Sequence, residues 1–165
     1  MKTVYVVAAL ALALSWRAGH TAERHYQKEI GDWLLFAATT RDGVPMCAML
    51  ESDGGSPVHT LMLVRYLDDS NLYIDIVSPA WMVEPGKPMV MKVAFNDSAN
   101  IDVDAKRLSD AKVTVQSVVK VSFLNLVRLS NFLRFTIPGE PAPITFKTRD
   151  PEAPILLFEG CVKDM

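Results

Sequence analysis

The chain has 165 residues, of which 50% are hydrophobic, and a formal net charge of −2 at pH 7. This length is enough for one domain with a substantial core. No cluster of Lys or Arg appears along the sequence, which argues against a nucleic-acid partner, since phosphate binding requires a basic surface.

The N-terminus has the layout of a secretory signal peptide. Met1 and Lys2 precede an apolar run, Thr3–Leu14, which is too short to span a hydrocarbon core of about 30 Å as a helix. Ala22 offers a small residue at a cleavage point, although His20 is a poor residue for signal peptidase at the third position before the cut. We therefore predict a signal peptide over residues 1–22 and a single exported domain over residues 23–165.

Cleavage would also change the charge and leave both cysteines in the mature chain. Two of the 17 basic side chains, Lys2 and Arg17, lie in the predicted leader, which leaves 15 against 19 acidic ones and a net charge of about −4. An even number of cysteines in an exported chain predicts one disulfide, Cys47–Cys161. A reactive thiol or a metal ligand is the alternative, but there is no CxxC motif and no His at ligand spacing.

Turn signals recur every eight to twelve residues, which is typical of an antiparallel β protein. Arg41-Asp42-Gly43 predicts a tight turn. Ser52–Pro57 predicts a loop, because glycine accepts a positive φ and proline cannot donate to a strand ladder. Strands are predicted over Trp33–Thr39, Val44–Leu50, Thr60–Tyr66, Asn71–Val77 and Val90–Phe95.

The second half of the chain has a mixed pattern. Ser122–Ser130 is predicted to be a helix with Ser122 as its N-cap. A last helix is predicted from Asp150-Pro151-Glu152 to about Gly160, because a capping acceptor is followed by proline at the first helical position. Further strands are predicted over Ile101–Ala105, Phe132–Ile137 and Ile144–Lys147, with Val113–Val119 as a strand or a connector. The predicted fold is mainly β: an antiparallel β-sandwich with two short helices, one at the C-terminus.

No catalytic constellation stands out, and we predict no catalytic residue. A Ser/His/Asp set could be drawn from His59, a nearby serine and Asp68 or Asp69, but no nucleophile elbow accompanies it. His25 lies in a leader before the first predicted strand.

An oxygen-rich segment follows the strand that ends at Phe95, but it lacks the glycine and the terminal glutamate of an EF-hand loop. A solvated turn followed by an edge strand with outward carboxylates is the favoured interpretation. We therefore predict no metal site and no cofactor. The residues of this segment are Asn96, Asp97, Asn100, Asp102 and Asp104.

Trp33 and Trp81 are the largest apolar side chains of the predicted mature chain. Trp33 begins a strand and is expected in the core. Trp81 lies between Pro79 and Pro85 beside Met82, and exposed Trp and Met are favoured at adaptable binding surfaces. Burial of Trp81 remains the favoured interpretation, and Trp81 with Met82 forms the weak candidate binding site.

The order and spacing of several motifs resemble the invasion-associated locus B type of exported bacterial proteins and related uncharacterised families. The resemblance covers almost the whole mature chain. The motifs are the signal peptide, Gly31-Asp32-Trp33, Cys47-Ala48, the bend Trp81…Pro85-Gly86-Lys87 and the terminal Leu157–Cys161.

The resemblance implies a small β-sandwich without known catalysis, periplasmic or surface-associated in a Gram-negative bacterium. The sequence departs from better-known members in having only two cysteines. We expect a non-enzymatic envelope protein that is periplasmic or secreted, binds a protein or a cell-envelope component, and has no integral membrane span after cleavage. The alternatives are a structural or stress-related periplasmic protein without a specific ligand, and a small exported hydrolase.

Overall fold

The structure is a computed structural model. It describes residues 23–40, 42–55, 58–67, 69–79, 81–97, 99–109 and 112–163, so the predicted signal peptide lies outside the described residues. The elements in chain order are β1 (Glu23–Ile30), β2 (Trp33–Thr39), β3 (Pro45–Ser52), β4 (Thr60–Tyr66), β5 (Asn71–Val77), β6 (Pro88–Phe95), β7 (Ala99–Ser109), β8 (Lys112–Lys120), α1 (Phe123–Arg128), β9 (Phe132–Thr136), β10 (Ile144–Lys147) and α2 (Glu152–Lys163).

All strands belong to one continuous sheet in the order β1-β2-β3-β4-β5-β8-β7-β6-β9-β10. Each neighbouring pair is antiparallel. Most neighbours follow one another in sequence, as expected for hairpins. The exceptions are β5 with β8 and β6 with β9, and the β5–β8 pairing joins the two halves of the sheet.

A single large core connects strands from both ends of this sheet. Trp33 of β2 and Phe146 of β10 are no more than 1% exposed and belong to the same apolar cluster. Strands on the two sides contribute alternate residues to it, such as Ile74 of β5 and Val93 of β6. The sheet therefore folds over a common interior, and the predicted mainly antiparallel β fold with two helices is confirmed.

The C-terminal helix closes this interior at β2 and β3. Ile155 and Phe158 of α2 are fully buried in the core cluster. Cys161 forms a disulfide with Cys47 of β3, with a Cα–Cα distance of 6.2 Å and a sequence separation of 114 residues. The pairing agrees with the prediction and fixes the end of the chain to the first half of the sheet.

Some predicted details are wrong. The segment between the predicted cleavage point and Trp33, which contains His25, is strand β1 and pairs with β2. Ser122 makes no side-chain capping bond, because its φ of −57° and ψ of −18° already place it in the helical region. Neither helix in the described part of the chain is long and apolar enough to cross a membrane.

Candidate functional site

The segment Trp81–Lys87, here called the Met82 loop, connects β5 to β6. Trp81 and Val83 are buried, with exposed fractions of 9% and 7%, whereas Met82 between them is 73% exposed. Alternate side chains of the loop thus point in opposite directions. The two inward residues anchor the loop in the core and leave Met82 as an outward apolar side chain.

Two distant side chains hold the backbone of this loop. Oε1 of Glu140, in the turn between β9 and β10, accepts hydrogen bonds from the N–H groups of Met82 (2.7 Å) and Val83 (3.2 Å). From the other side, Arg107 of β7 donates through Nη1 to the carbonyl oxygen of Val83 (2.6 Å). Hydrogen bonds to charged groups are stronger than neutral ones. The loop is therefore fixed on both edges, and Met82 stands on an ordered backbone.

A further backbone bond closes the turn after the loop. The N–H of Gly86 donates to the carbonyl oxygen of Arg107 at 2.7 Å. Gly86 has a φ of +72°, a conformation that side-chain-bearing residues rarely adopt. Glycine at this position lets the chain turn back into β6 next to β7.

Trp81 lies beneath the loop against His59. The two ring centroids are 6.2 Å apart with an interplanar angle of 54°. The indole Nε1 of Trp81 is buried and has no hydrogen-bond partner among the described residues. Trp81 therefore supports the Met82 loop by packing and presents little surface of its own, whereas Met82 presents most of its side chain.

His59 and Asp53 close the loop between β3 and β4. Oδ2 of Asp53 lies 2.7 Å from Nδ1 of His59, and Oδ1 accepts from the N–H groups of His59 and Gly55, both at 2.9 Å. A carboxylate only accepts, so the ring donates through Nδ1. The two backbone hydrogen bonds to Oδ1 of Asp53 order the loop. The bond between Oδ2 and Nδ1 also orients the imidazole of His59.

Asp69 accepts its hydrogen bonds from residues at the start of β5. The hydroxyl of Tyr73 donates to Oδ2 of Asp69 (2.5 Å), and the N–H of Asn71 donates to Oδ1 (2.8 Å). These hydrogen bonds, that of Tyr73 first, lower the pKa of Asp69. Asp68 lies outside the described residues, so Asp53 is the carboxylate that the structure brings to His59.

The oxygen-rich segment after β6 uses its side chains in turn contacts. Oδ1 of Asn96 accepts from the N–H of Asn131 (2.7 Å), and Asp97 lies 3.5 Å from Arg134. Asp102 and Asp104 are exposed at alternate positions of β7. In the described residues, no group of three or more His, Cys, Asp or Glu side chains is arranged to hold a metal ion.

Glu51 is an acidic side chain inside the protein. It lies on β3 opposite Leu61 of β4 and is only 4% exposed. Burial, and secondarily the charge of Asp32, raise its pKa from an ordinary 4.5 to about 8. Glu51 is therefore mainly protonated at neutral pH.

Sequence reasoning proposed Trp81 and Met82 as a candidate site but missed Glu140 and Arg107, which hold the backbone of their loop. Glu140 lies 58 residues beyond Met82 in the sequence. The Pro and Gly residues beside it predict a turn but give no indication of a contact with Met82. Arg107 lies beyond the end of the strand that we predicted. Contacts between residues this far apart in sequence cannot be predicted from the spacing of neighbouring residues.

Comparison with known proteins identifies a similar fold in a solved structure. No family model matches the chain, and no curated protein does. Among solved structures, the crystal structure of invasion associated protein B from Bartonella henselae is similar, with a TM-score of 0.61 and 14% sequence identity over 84% of this chain and 99% of that chain. Identity this low establishes the fold alone, and the resemblance inferred from the sequence is supported at that level.

Proposed function

We propose that the protein is an exported, non-enzymatic envelope protein that binds a protein or a cell-envelope component through the Met82 loop. The observation that carries the proposal is the 73% exposure of Met82 on a backbone held by Glu140 and Arg107. Single exposed apolar residues are common on protein surfaces. Here the backbone of Met82 and Val83 is also held by two charged side chains, which orders the exposed residue before any partner binds.

Pre-organisation is the physical reason for assigning binding to this loop. A contact segment that is already ordered loses little conformational entropy when a partner binds, so more of the contact energy appears as affinity. Methionine is unbranched and polarisable, and it adapts its shape to different apolar surfaces. Trp81 contributes from below, because its burial fixes the direction of the loop.

Export is part of the proposal and rests on three features. These are the signal-peptide layout of residues 1–22, the disulfide Cys47–Cys161, and the similarity of fold to invasion associated protein B. Disulfides persist mainly in oxidising compartments outside the cytosol. The periplasm or the outer surface of the cell is therefore the proposed location.

The test is a pulldown of the tagged mature protein from envelope extract under mild crosslinking. Three variants run beside it: Met82→Ser, Trp81→Ala, and Leu129→Ser as a matched control at an apolar side chain that is 80% exposed elsewhere. A partner captured by the wild type and by Leu129→Ser, but lost with Met82→Ser, supports the proposal. Equal capture by all variants, or none by any, contradicts it and favours a structural role in the envelope.

A second candidate, a small exported hydrolase, is favoured by the contact between Asp53 and His59. A carboxylate at Nδ1 is the arrangement that orients a general-base histidine in hydrolases. Under this candidate, His59→Ala abolishes hydrolysis of a chromogenic acetyl ester, whereas His25→Ala leaves it unchanged. Equal background hydrolysis by both variants rejects it.

A further inference from the structure

Residues 138–143, here called the proline loop, connect β9 to β10. Their sequence is Pro-Gly-Glu-Pro-Ala-Pro, and every residue except the half-buried Glu140 is exposed. The flanking residues Ile137 and Ile144 are buried in the main core, with exposed fractions of 3% and 6%. The loop is therefore anchored at both ends, while its prolines remain accessible.

The proline loop begins with a turn that its sequence favours. The N–H of Glu140 donates to the carbonyl oxygen of Ile137 at 3.1 Å, and Gly139 has a φ of +90°. Proline followed by glycine at the centre of a turn is typical of type II, in which the second central residue needs a positive φ. Proline itself has a φ fixed at about −65°, so the loop loses little conformational entropy when a partner binds.

The proline loop lies directly against the Met82 loop. Glu140 accepts the hydrogen bonds from the N–H groups of Met82 and Val83. A side-chain carbon added at Gly139 would lie 3.9 Å from Cγ2 of Val83. The exposed apolar residues of the two loops therefore form neighbouring parts of one surface, here called the two-loop surface. They are Met82, Pro138, Pro141, Ala142 and Pro143.

The two loops carry little free charge. The carboxylate of Glu140 is engaged by two amides, and the exposed side chains of Glu84 and Lys87 form an ion pair with each other at 3.4 Å. Lys87 is the one basic residue in segments 81–87 and 138–143. An anionic lipid surface is bound through clusters of Lys and Arg. The charges therefore favour an apolar protein surface over a membrane as the occupant.

We propose that the partner of the Met82 loop is a protein that also covers the proline loop and contacts its prolines with aromatic side chains. This inference rests on the proposed binding function of the Met82 loop. Exposed prolines in proline-rich segments are recognised by grooves that are lined with aromatic rings. The thioether of methionine also makes favourable contacts with aromatic rings. One aromatic-rich surface therefore fits both parts of the two-loop surface.

Photo-crosslinking in living cells tests the inference, with a photoreactive amino acid at position 82, 142 or 118. Position 142 lies between Pro141 and Pro143, whereas position 118 is an exposed position of β8. The products are purified through a tag, and the crosslinked segments of the partner are identified by peptide mass. Positions 82 and 142 are expected to trap the same protein at segments that contain Trp, Tyr or Phe. Position 118 is expected to trap none.

Two double variants of the position-82 protein separate the role of the prolines from that of charge. Pro141→Ser with Pro143→Ser should reduce the yield of the position-82 product at least about fivefold, as expected when contacts worth about 1 kcal/mol are lost. Glu84→Ala with Lys87→Ala should leave the yield unchanged. Urea denaturation checks that both variants are folded. Crosslinking from position 142 leaves every proline in place, so it tests the inference even if the proline variant is unstable.

The outcomes distinguish this inference from the proposed function. A protein trapped from position 82 but not from position 142 overturns the inference and leaves the Met82 loop as the binding site. Partner segments without aromatic residues, or loss of the product in the Glu84 and Lys87 variant, overturn it in the same way. Lipid adducts from both positions replace the protein partner with a membrane. No product from position 82 overturns the proposed function and this inference together.

Discussion

The carboxylate of Glu140 holds the backbone of Met82 across 58 residues of sequence, with Oε1 at 2.7 Å from the amide nitrogen. The exposed side chain of the candidate site thus depends on a turn between two other strands. This relationship makes the orientation of Met82 a property of the tertiary fold, and it gives the first prediction.

Glu140→Ala is expected to loosen the Met82 loop. The N–H groups of Met82 and Val83 lose their acceptor. The unfolding free energy should fall by only about 1 kcal/mol, because water can replace the lost hydrogen bonds. Hydrogen exchange of these two amides should accelerate, while exchange in β4 stays unchanged. Glu152→Ala, at an exposed carboxylate of α2, is the control. Unchanged exchange at Met82 in Glu140→Ala would show that the carboxylate does not order the loop.

Truncation of Trp81 is expected to lower stability far more than truncation of Met82. Trp81→Ala removes a buried indole and should lower the free energy of unfolding by about 3 to 5 kcal/mol. Met82→Ala removes an exposed side chain and should change it by no more than about 0.5 kcal/mol. Urea denaturation of both variants measures the difference. A large loss of stability in Met82→Ala would mean that this side chain is structural.

Glu51 is expected to make stability fall with rising pH. Above pH 4.5 the unfolded chain loses this proton, whereas the folded protein keeps it up to about pH 8, so the folded state binds more protons in that window. The slope contributed by this group is at most about 1.4 kcal/mol per pH unit between those values, and it disappears above pH 8.

Glu51→Gln should remove this contribution, so that the variant gains stability relative to wild type as the pH rises from 5 to 8. The comparison requires urea denaturation of both proteins at several pH values. Glu29→Gln, at an exposed position of β1, should follow the wild-type curve. Parallel curves for wild type and Glu51→Gln would show that the buried carboxyl has an ordinary pKa.

The disulfide is expected to contribute strongly to stability. In the chain-entropy model, closing a loop of about 100 residues stabilises the fold by about 4 to 5 kcal/mol, and measured effects range down to zero. Replacing both Cys47 and Cys161 by alanine should therefore lower the unfolding free energy by several kcal/mol. Thiol labelling of the protein, purified without reductant, should detect no free thiol before reduction and two after it. Two free thiols without reductant would contradict the assignment.

Local patterns predicted the middle of the sheet well. Thr60–Tyr66 and Asn71–Val77 match β4 and β5 at both ends, because turn residues flank a largely apolar run in the first and an alternating run in the second. β7 is longer than the predicted Ile101–Ala105, since pairing with β6 and β8 extends it to Ala99–Ser109. Tertiary pairing thus overrides weak local propensity at strand ends.

Other features depend on contacts that the sequence does not display. Glu23–Ile30 is polar and charged, so an edge strand there has no apolar alternation to reveal it. Cys47 and Cys161 could be paired from their number alone, whereas the restraint of Met82 by Glu140 required the fold. The apolar outward residues of β2–β4 are recognisable only when the sheet shows which face each residue occupies.

The most direct test of the binding proposal is site-specific photo-crosslinking in living cells, with a photoreactive amino acid at position 82. We predict a discrete crosslinked product with an envelope partner from position 82 and none from position 118 or 129, which are exposed apolar positions on other elements. No product at position 82, or the same products at all three positions, would contradict the proposal that the Met82 loop is a specific binding site.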